Sequence, residues 1–323
     1  MVTILSIDGG GIRGIIPATI LAEFEKRTGK PICQLFDYIA GTSTGGIITA
    51  MLTTPDKQGR PKYTAEEVKS DYIRFGRTVF QRSAFRKIAT LDGLTRPRYS
   101  VKALERFLNQ YLGNVRLHST LTNILIPAYD MKSCTPWFFK TAYASVHRSD
   151  VDDPLLSQVA RATSAAPTFF RPLRMGASHC FIDGGVFANN PAICAYAEAR
   201  KSFPQESEFF IVSLGTGEHQ KRYSCEQTKN WGTLRWTMPL FGVIMNSASS
   251  TVDYQMKTLV GTENYVRFQV RLDCKSTDMD NASGENIKRL EALSRMEIKQ
   301  NSQEIEQVCR ILKSSNRYIT TRG

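Results

Sequence analysis

No apolar run in this chain is long enough to span a bilayer. The N-terminal Met1–Ile7 has neither the basic start nor the small-residue cleavage site of a secretory leader, and reads instead as a buried strand. Cysteine is present as seven scattered residues (Cys33, Cys134, Cys180, Cys194, Cys225, Cys274 and Cys309) without a CxxC pair. An odd, dispersed set points to reduced thiols in a cytoplasmic protein rather than a disulfide scaffold. Four histidines (His118, His147, His179 and His219) lie far apart in the chain, which argues against a structural zinc site. Repeats, low-complexity tracts and the signatures of helix-turn-helix, RRM or zinc-finger modules are absent, so neither DNA nor RNA is an expected partner.

Apolar residues make up 41% of 323, enough for a sizeable core in one large domain or two small ones. The formal charge is +12, and the excess is uneven: Lys57–Arg116 holds fourteen Lys or Arg against five Asp or Glu. Charge alone lets such a stretch meet anionic lipid headgroups, nucleic acid or a phosphorylated ligand, or form a solvated helix surface.

Apolar, β-branched runs predict strands at Val2–Ile7, Leu35–Ala40, Asn123–Asp130, Phe138–Ala142, Cys180–Asp183 and Phe209–Leu214. Helical spacing predicts helices at Ile12–Arg27, Gly45–Leu52, Thr64–Phe80, after Ser100, at Pro154–Ser164 and at Pro191–Lys201. Alternating strands and helices imply an α/β fold with a mainly parallel central sheet, ending near Gly217. Beyond it, Trp231, Trp236, Met238, Phe241 and Met245 form an apolar stretch between polar segments, and 285–314 reads as one long charged helix.

Gly41-Thr-Ser-Thr-Gly45 joins a predicted strand to a predicted helix and fits the G-x-S-x-G turn. A serine on so tight a turn projects its hydroxyl off the sheet, and its flanking positions need to be free of side chains. Ser43 is therefore a candidate nucleophile. Asp8-Gly-Gly-Gly-Ile-Arg-Gly14 also follows a strand and opens a helix. It is no P-loop, and although its Gly9 register matches G-x-G-x-x-G, the second strand ends in the serine turn and not in an acidic ribose ligand. The Gly9, Gly10 and Gly11 backbone is better placed as an oxyanion hole, with Arg13 a candidate for holding a substrate phosphate or simply a surface arginine. Asp183 ends a strand and precedes two glycines, so it can accept the Ser43 proton as general base. A Ser–His–Asp triad drawing on His147, His179 or His219 is the rival arrangement.

Together, in this order, Asp8–Gly14, Gly41–Gly45 and Asp183–Gly185 resemble the patatin-like phospholipase family, over roughly residues 1–217. The resemblance implies a three-layer α/β/α sandwich with a helical C-terminal extension at 218–323, serving as a lid or regulatory region. It implies a lipid acyl hydrolase of phospholipase A type with a Ser43–Asp183 dyad, no catalytic histidine and no metal or other cofactor. The implied partner is a phospholipid membrane surface, met from the cytoplasmic side, and a homo-oligomer is left open. Compact bacterial members of that family look similar and are switched on by a cyclic dinucleotide in antiviral defence, so such an activator is a further expectation. The alternatives are a constitutive soluble carboxylesterase or lysophospholipase, and a ligand-binding module with weak or no catalysis.

Overall fold

Six apolar or small residues, all buried, form β1 (Val2–Ile7). A strand covered on both faces carries no polar stripe, which is why only the small Thr3 and Ser6 interrupt its apolar run and no charge does. The computed structural model describes residues 1–80, 97–218, 223–273 and 278–315. Among these, β1 lies inside a sheet with β2 (Tyr38–Gly41), β3 (Asn123–Asp130), β4 (Thr135–Lys140), β5 (Leu173–Met175), β6 (His179–Asp183), β7 (Phe209–Leu214) and β8 (Tyr265–Phe268). The order is β5-β6-β3-β2-β1-β7-β8, with β4 also on β3. Strands β3, β2, β1, β7 and β8 are parallel; β4, β5 and β6 form antiparallel pairs at one side.

Alternation along the strands divides the core in two. Leu5, Ile7 and Ile39 face one cluster, to which the principal helices α1 (Ile15–Thr28), α2 (Thr44–Thr53), α3 (Ala65–Val79), α4 (Val101–Leu112) and α5 (Leu156–Thr163) contribute. Val2, Ile4, Tyr38 and Ala40 face a second cluster under α6 (Ala192–Ser202) and α7 (Thr233–Val260). The helices α8 (Gly284–Gln300) and α9 (Ser302–Ser314) return to the first face, through Ile287, Leu290, Ile305, Val308 and Leu312. The result is the expected α/β/α sandwich.

Local chemistry accounts for several boundaries. Thr64 and Glu67 form a reciprocal capping box at the start of α3, and Gly29, at φ 70°, ends α1 in the left-handed region. The strand expected from Leu35 begins at Tyr38, because Asp37 instead turns its carboxylate onto the Thr3 N–H (2.9 Å) and hydroxyl (2.8 Å). The single helix expected at 285–314 breaks at Asn301, whose side chain bonds back to the Glu297 carbonyl at 3.1 Å.

Across the boundary expected near Gly217, the sheet continues. β8 pairs in parallel with β7, and its Arg267 reaches β1. The guanidinium donates to both Asp8 carboxylate oxygens, at 3.3 and 2.7 Å, and to Ser213 Oγ at 2.6 Å. Burial disfavours both charges, yet the carboxylate beside Arg267 holds its pKa above the usual range. Arg267→Met is expected to lower stability by about 3–5 kcal/mol by stranding the Asp8 charge, and Asp8→Asn with Arg267→Met to recover part of that loss. Equilibrium denaturant unfolding measures both; a cost below about 1 kcal/mol for the single change would remove the pair from the framework.

Candidate active site

Ser43 stands between the end of β2 and the first residue of α2, at φ 53° and ψ −117°. A non-glycine residue there is strained by on the order of 1–3 kcal/mol and needs its surroundings to hold it. The two flanking glycines make the turn sterically feasible. A Cβ on Gly41 would stand 2.2 Å from the Gly45 carbonyl oxygen, and one on Gly45 would stand 2.2 Å from the Ile7 carbonyl oxygen. The Ser43 N–H donates to Thr163 Oγ1 at 2.9 Å, and that hydroxyl donates to the Pro127 carbonyl at 2.6 Å. The serine turn is thereby tied to α5 and β3.

Asp183 arrives from the opposite direction. β4 runs along one edge of β3, so β2 (opposite Asn123–Leu125) and β6 (opposite Ala128–Asp130) must share the other edge. They are antiparallel, and their C-terminal ends point toward each other. Asp183 thus comes in on a strand antiparallel to β3, head-on to the serine turn. Asp183 is buried, lines one cleft with Ser43, and accepts the Gly185 N–H on its Oδ1 at 2.8 Å. Burial pushes its pKa up to about 7, against the lowering effects of the Ser43 hydroxyl and the Gly185 N–H. A free aspartate is a poor base at neutral pH; this one is not.

The glycine turn is assembled from both ends of the chain. Gly9 differs from expectation: its N–H donates to the Asn189 carbonyl at 3.1 Å, so it is not available to an oxyanion. Gly10 and Gly11 line the cleft beside Ser43 and Asp183, and among the described residues their N–H groups have no hydrogen-bond partner. Thr216 Oγ1 donates to the Gly9 carbonyl at 2.6 Å, Tyr72 Oη to the Gly11 carbonyl at 2.7 Å, and the Ile12 N–H to the Met279 carbonyl at 2.8 Å. Arg13 lies away from the Ser43 cleft. It is buried in a separate polar cavity with Asp8, Asp253 and Arg267, and its Nε donates to the Gly10 carbonyl at 3.3 Å. Burial lowers its pKa to about 10, while Asp278 and Asp8 oppose the change. Its visible role is to hold the glycine turn from behind.

The Ser43 cleft encloses roughly 600 Å³ of space open to solvent and is lined mainly by apolar side chains, among them Ile47, Phe75, Leu104, Phe169, Phe170 and Met245. Among the described residues, no histidine lines it. His179 Nδ1 pairs with Asp130 at 2.8 Å, His118 Nδ1 with Asp153 at 2.6 Å, and His147 stacks on Tyr143; His219 lies outside the described residues. No cluster of metal-ligating side chains occurs among the described residues. A serine hydroxyl sharing a cleft with a buried carboxylate whose pKa is pushed up to about 7, beside two free amides and an apolar wall, suits nucleophilic attack on a carbonyl with a hydrocarbon substituent.

Sequence reasoning did not find Arg267, Tyr72, Thr163 or Met279 as supports of this site. Arg267 left one trace, a charge within the short apolar run Tyr-Val-Arg-Phe of β8. Tyr72 was legible only as an inward position of an amphipathic helix.

Residues 5–196 match the family model of patatin-like phospholipase. Patatin-like protein 2 of Arabidopsis thaliana is 36% identical over 89% of this chain and 80% of its own length. Patatin-like protein 2 of Oryza sativa subsp. indica is 34% identical over 95% of this chain and 86% of its own. Patatin-T5 of Solanum tuberosum is 34% identical over 90% and 82%.

Because the folded pKa of Asp183 lies above its unfolded value of 3.8, burying the carboxyl costs nothing at low pH and progressively more as pH rises from about 4 to about 7. Asp183→Asn is expected to leave stability nearly unchanged near pH 4 and to raise it above pH 7, by at most roughly 4 kcal/mol. Thermal unfolding of both proteins across that range checks the sign; a variant less stable than the parent at pH 8 would contradict it.

Proposed function

The chain belongs to the patatin-like phospholipase family, and from that premise we propose that it is a lipid acyl hydrolase in which Ser43 and Asp183 act as a dyad on fatty-acyl esters of phospholipids. The observation that carries the proposal is that Ser43 and the buried Asp183 carboxylate, whose pKa is pushed up to about 7, line one apolar cleft together with Gly10 and Gly11.

Ser43 Oγ attacks the ester carbonyl carbon while Asp183 takes its proton. The Gly10 and Gly11 amides receive the developing oxyanion. Collapse of the tetrahedral intermediate breaks the carbon–oxygen bond to the lysolipid, which leaves with the proton from Asp183. Water then attacks the acyl-serine, giving a proton to Asp183, and the fatty acid departs as Ser43 is reprotonated. The apolar wall of Phe75, Leu104, Phe169 and Phe170 provides for the acyl chain.

Ser43→Ala is expected to abolish both ester hydrolysis and labelling by a fluorophosphonate; retained turnover would sink the scheme. On a soluble short-chain ester, kcat/KM of the parent is expected to fall about tenfold per pH unit below pH ~7 and to level off above it, since only the ionised Asp183 accepts a proton. A flat profile from pH 5 to 8 would exclude Asp183 as the base. Liposomes compared with the soluble ester separate a phospholipase from a general carboxylesterase. The same assay with an added cyclic dinucleotide tests the switch that the family resemblance suggests.

A further inference from the structure

The N-terminal half of α7 is apolar on two opposite faces. Inward, Met245 is buried, lines the Ser43 cleft and lies against Gly185. Outward, Trp236, Leu240, Val243 and Ile244 fall within about 100° of helix arc at 100° per residue. These four are 37–45% exposed. A helix on a protein surface keeps its outer stripe polar, and the same stripe further along α7 does become more polar, with Ser247, Thr251 and Tyr254. The apolar portion, Trp236–Ile244, is about 12 Å long. Trp231 packs edge-on against Trp236 (5.3 Å between centroids), and Tyr223 against Trp231 (5.1 Å). Such aromatic side chains, apolar with one polar atom, are favoured where a membrane meets water.

Charge points to the same occupant. Between Glu226 and Asp253 the sequence contains no acidic residue, and its only charges are Lys229 and Arg235. No helix among the described residues is long and apolar enough to cross a membrane. The length and two-sided character of α7 suit a helix lying in the plane of an interface.

We infer that the outer face of α7 at Trp236, Leu240, Val243 and Ile244 is the surface by which this protein lies on an anionic phospholipid bilayer. The four side chains enter the headgroup boundary, while Met245 on the opposite face borders the cleft that receives the acyl chain. The part played by Met245 rests on the proposed hydrolase function; the docking face does not.

Flotation with vesicles of phosphatidylcholine, with and without phosphatidylglycerol, tests the surface. Ser43→Ala protein is used so that lipid is not consumed. The expected result is co-flotation that increases with phosphatidylglycerol, and that falls at least tenfold on combining Leu240→Asp with Ile244→Asp. Trp236→Ala, a milder change, should give a partial loss. With Ser43 restored, the Asp double variant should hydrolyse bilayer phospholipid at least tenfold more slowly while keeping soluble-ester turnover within about twofold of the parent. Flotation of the variants at the parental level would overturn the inference, as would a parent that fails to float on either vesicle. A change from dimer to monomer with flotation unchanged would also overturn it and assign the face to a contact between copies. A parent that floats but hydrolyses no ester would sink the hydrolase reading and leave the docking face standing.

Discussion

The end of β1 and the first turn of α2 are in backbone contact at Gly45, where even one methyl group would stand 2.2 Å from the Ile7 carbonyl oxygen. This approach draws together the turns that follow two adjacent strands, the glycine turn after β1 and the serine turn after β2. Gly10 and Gly11 of one therefore line the same cleft as Ser43 of the other. The strained backbone of Ser43 persists because both flanks are anchored: Thr42 Oγ1 donates to the Ala188 carbonyl at 2.6 Å and the Ser43 N–H donates to Thr163. A residue so constrained is held in one geometry, which is what preorganisation of a site means.

Asp183 is given its base strength by burial. Little beyond the Gly185 N–H and the Ser43 hydroxyl offsets desolvation of its carboxylate, so it binds a proton more tightly than an exposed aspartate. The arrangement of β2 and β6 on one edge of β3 provides that burial. Two strands ending head-on bring Asp183 and Ser43 into one cleft, while His179 is paired with Asp130 at the far end of β6.

The described residues beyond 222 form part of this assembly. Arg267 from β8 clamps Asp8 at the root of the glycine turn, Met279 accepts the Ile12 N–H and closes over Gly11, and α8 and α9 cover α1. Met245 of α7 touches the cleft directly. A segment that braces the glycine turn on one side and walls the cleft on the other is physically continuous with the Ser43 site. It nonetheless lies outside the stretch where the three motifs occur.

What the sequence determined by itself is local. The apolar run of Val2–Ile7, the glycines that permit the turns at Gly41 and Gly45, and the capping pair Thr64 and Glu67 each depend on neighbours within a few residues, so composition and spacing reveal them. The mainly parallel sheet followed from the alternation of such segments. Tertiary structure alone decided which amides remain free, because Gly9 is silenced by Asn189, 180 residues away in the chain. It alone placed Arg13 behind the glycine turn and not in the substrate cleft, since the direction of a buried side chain depends on packing. It also set the base strength of Asp183. Proximity of an aspartate to glycines is written in the chain, whereas the desolvation that makes it a base at neutral pH exists only once β3, β6 and α7 have closed around it.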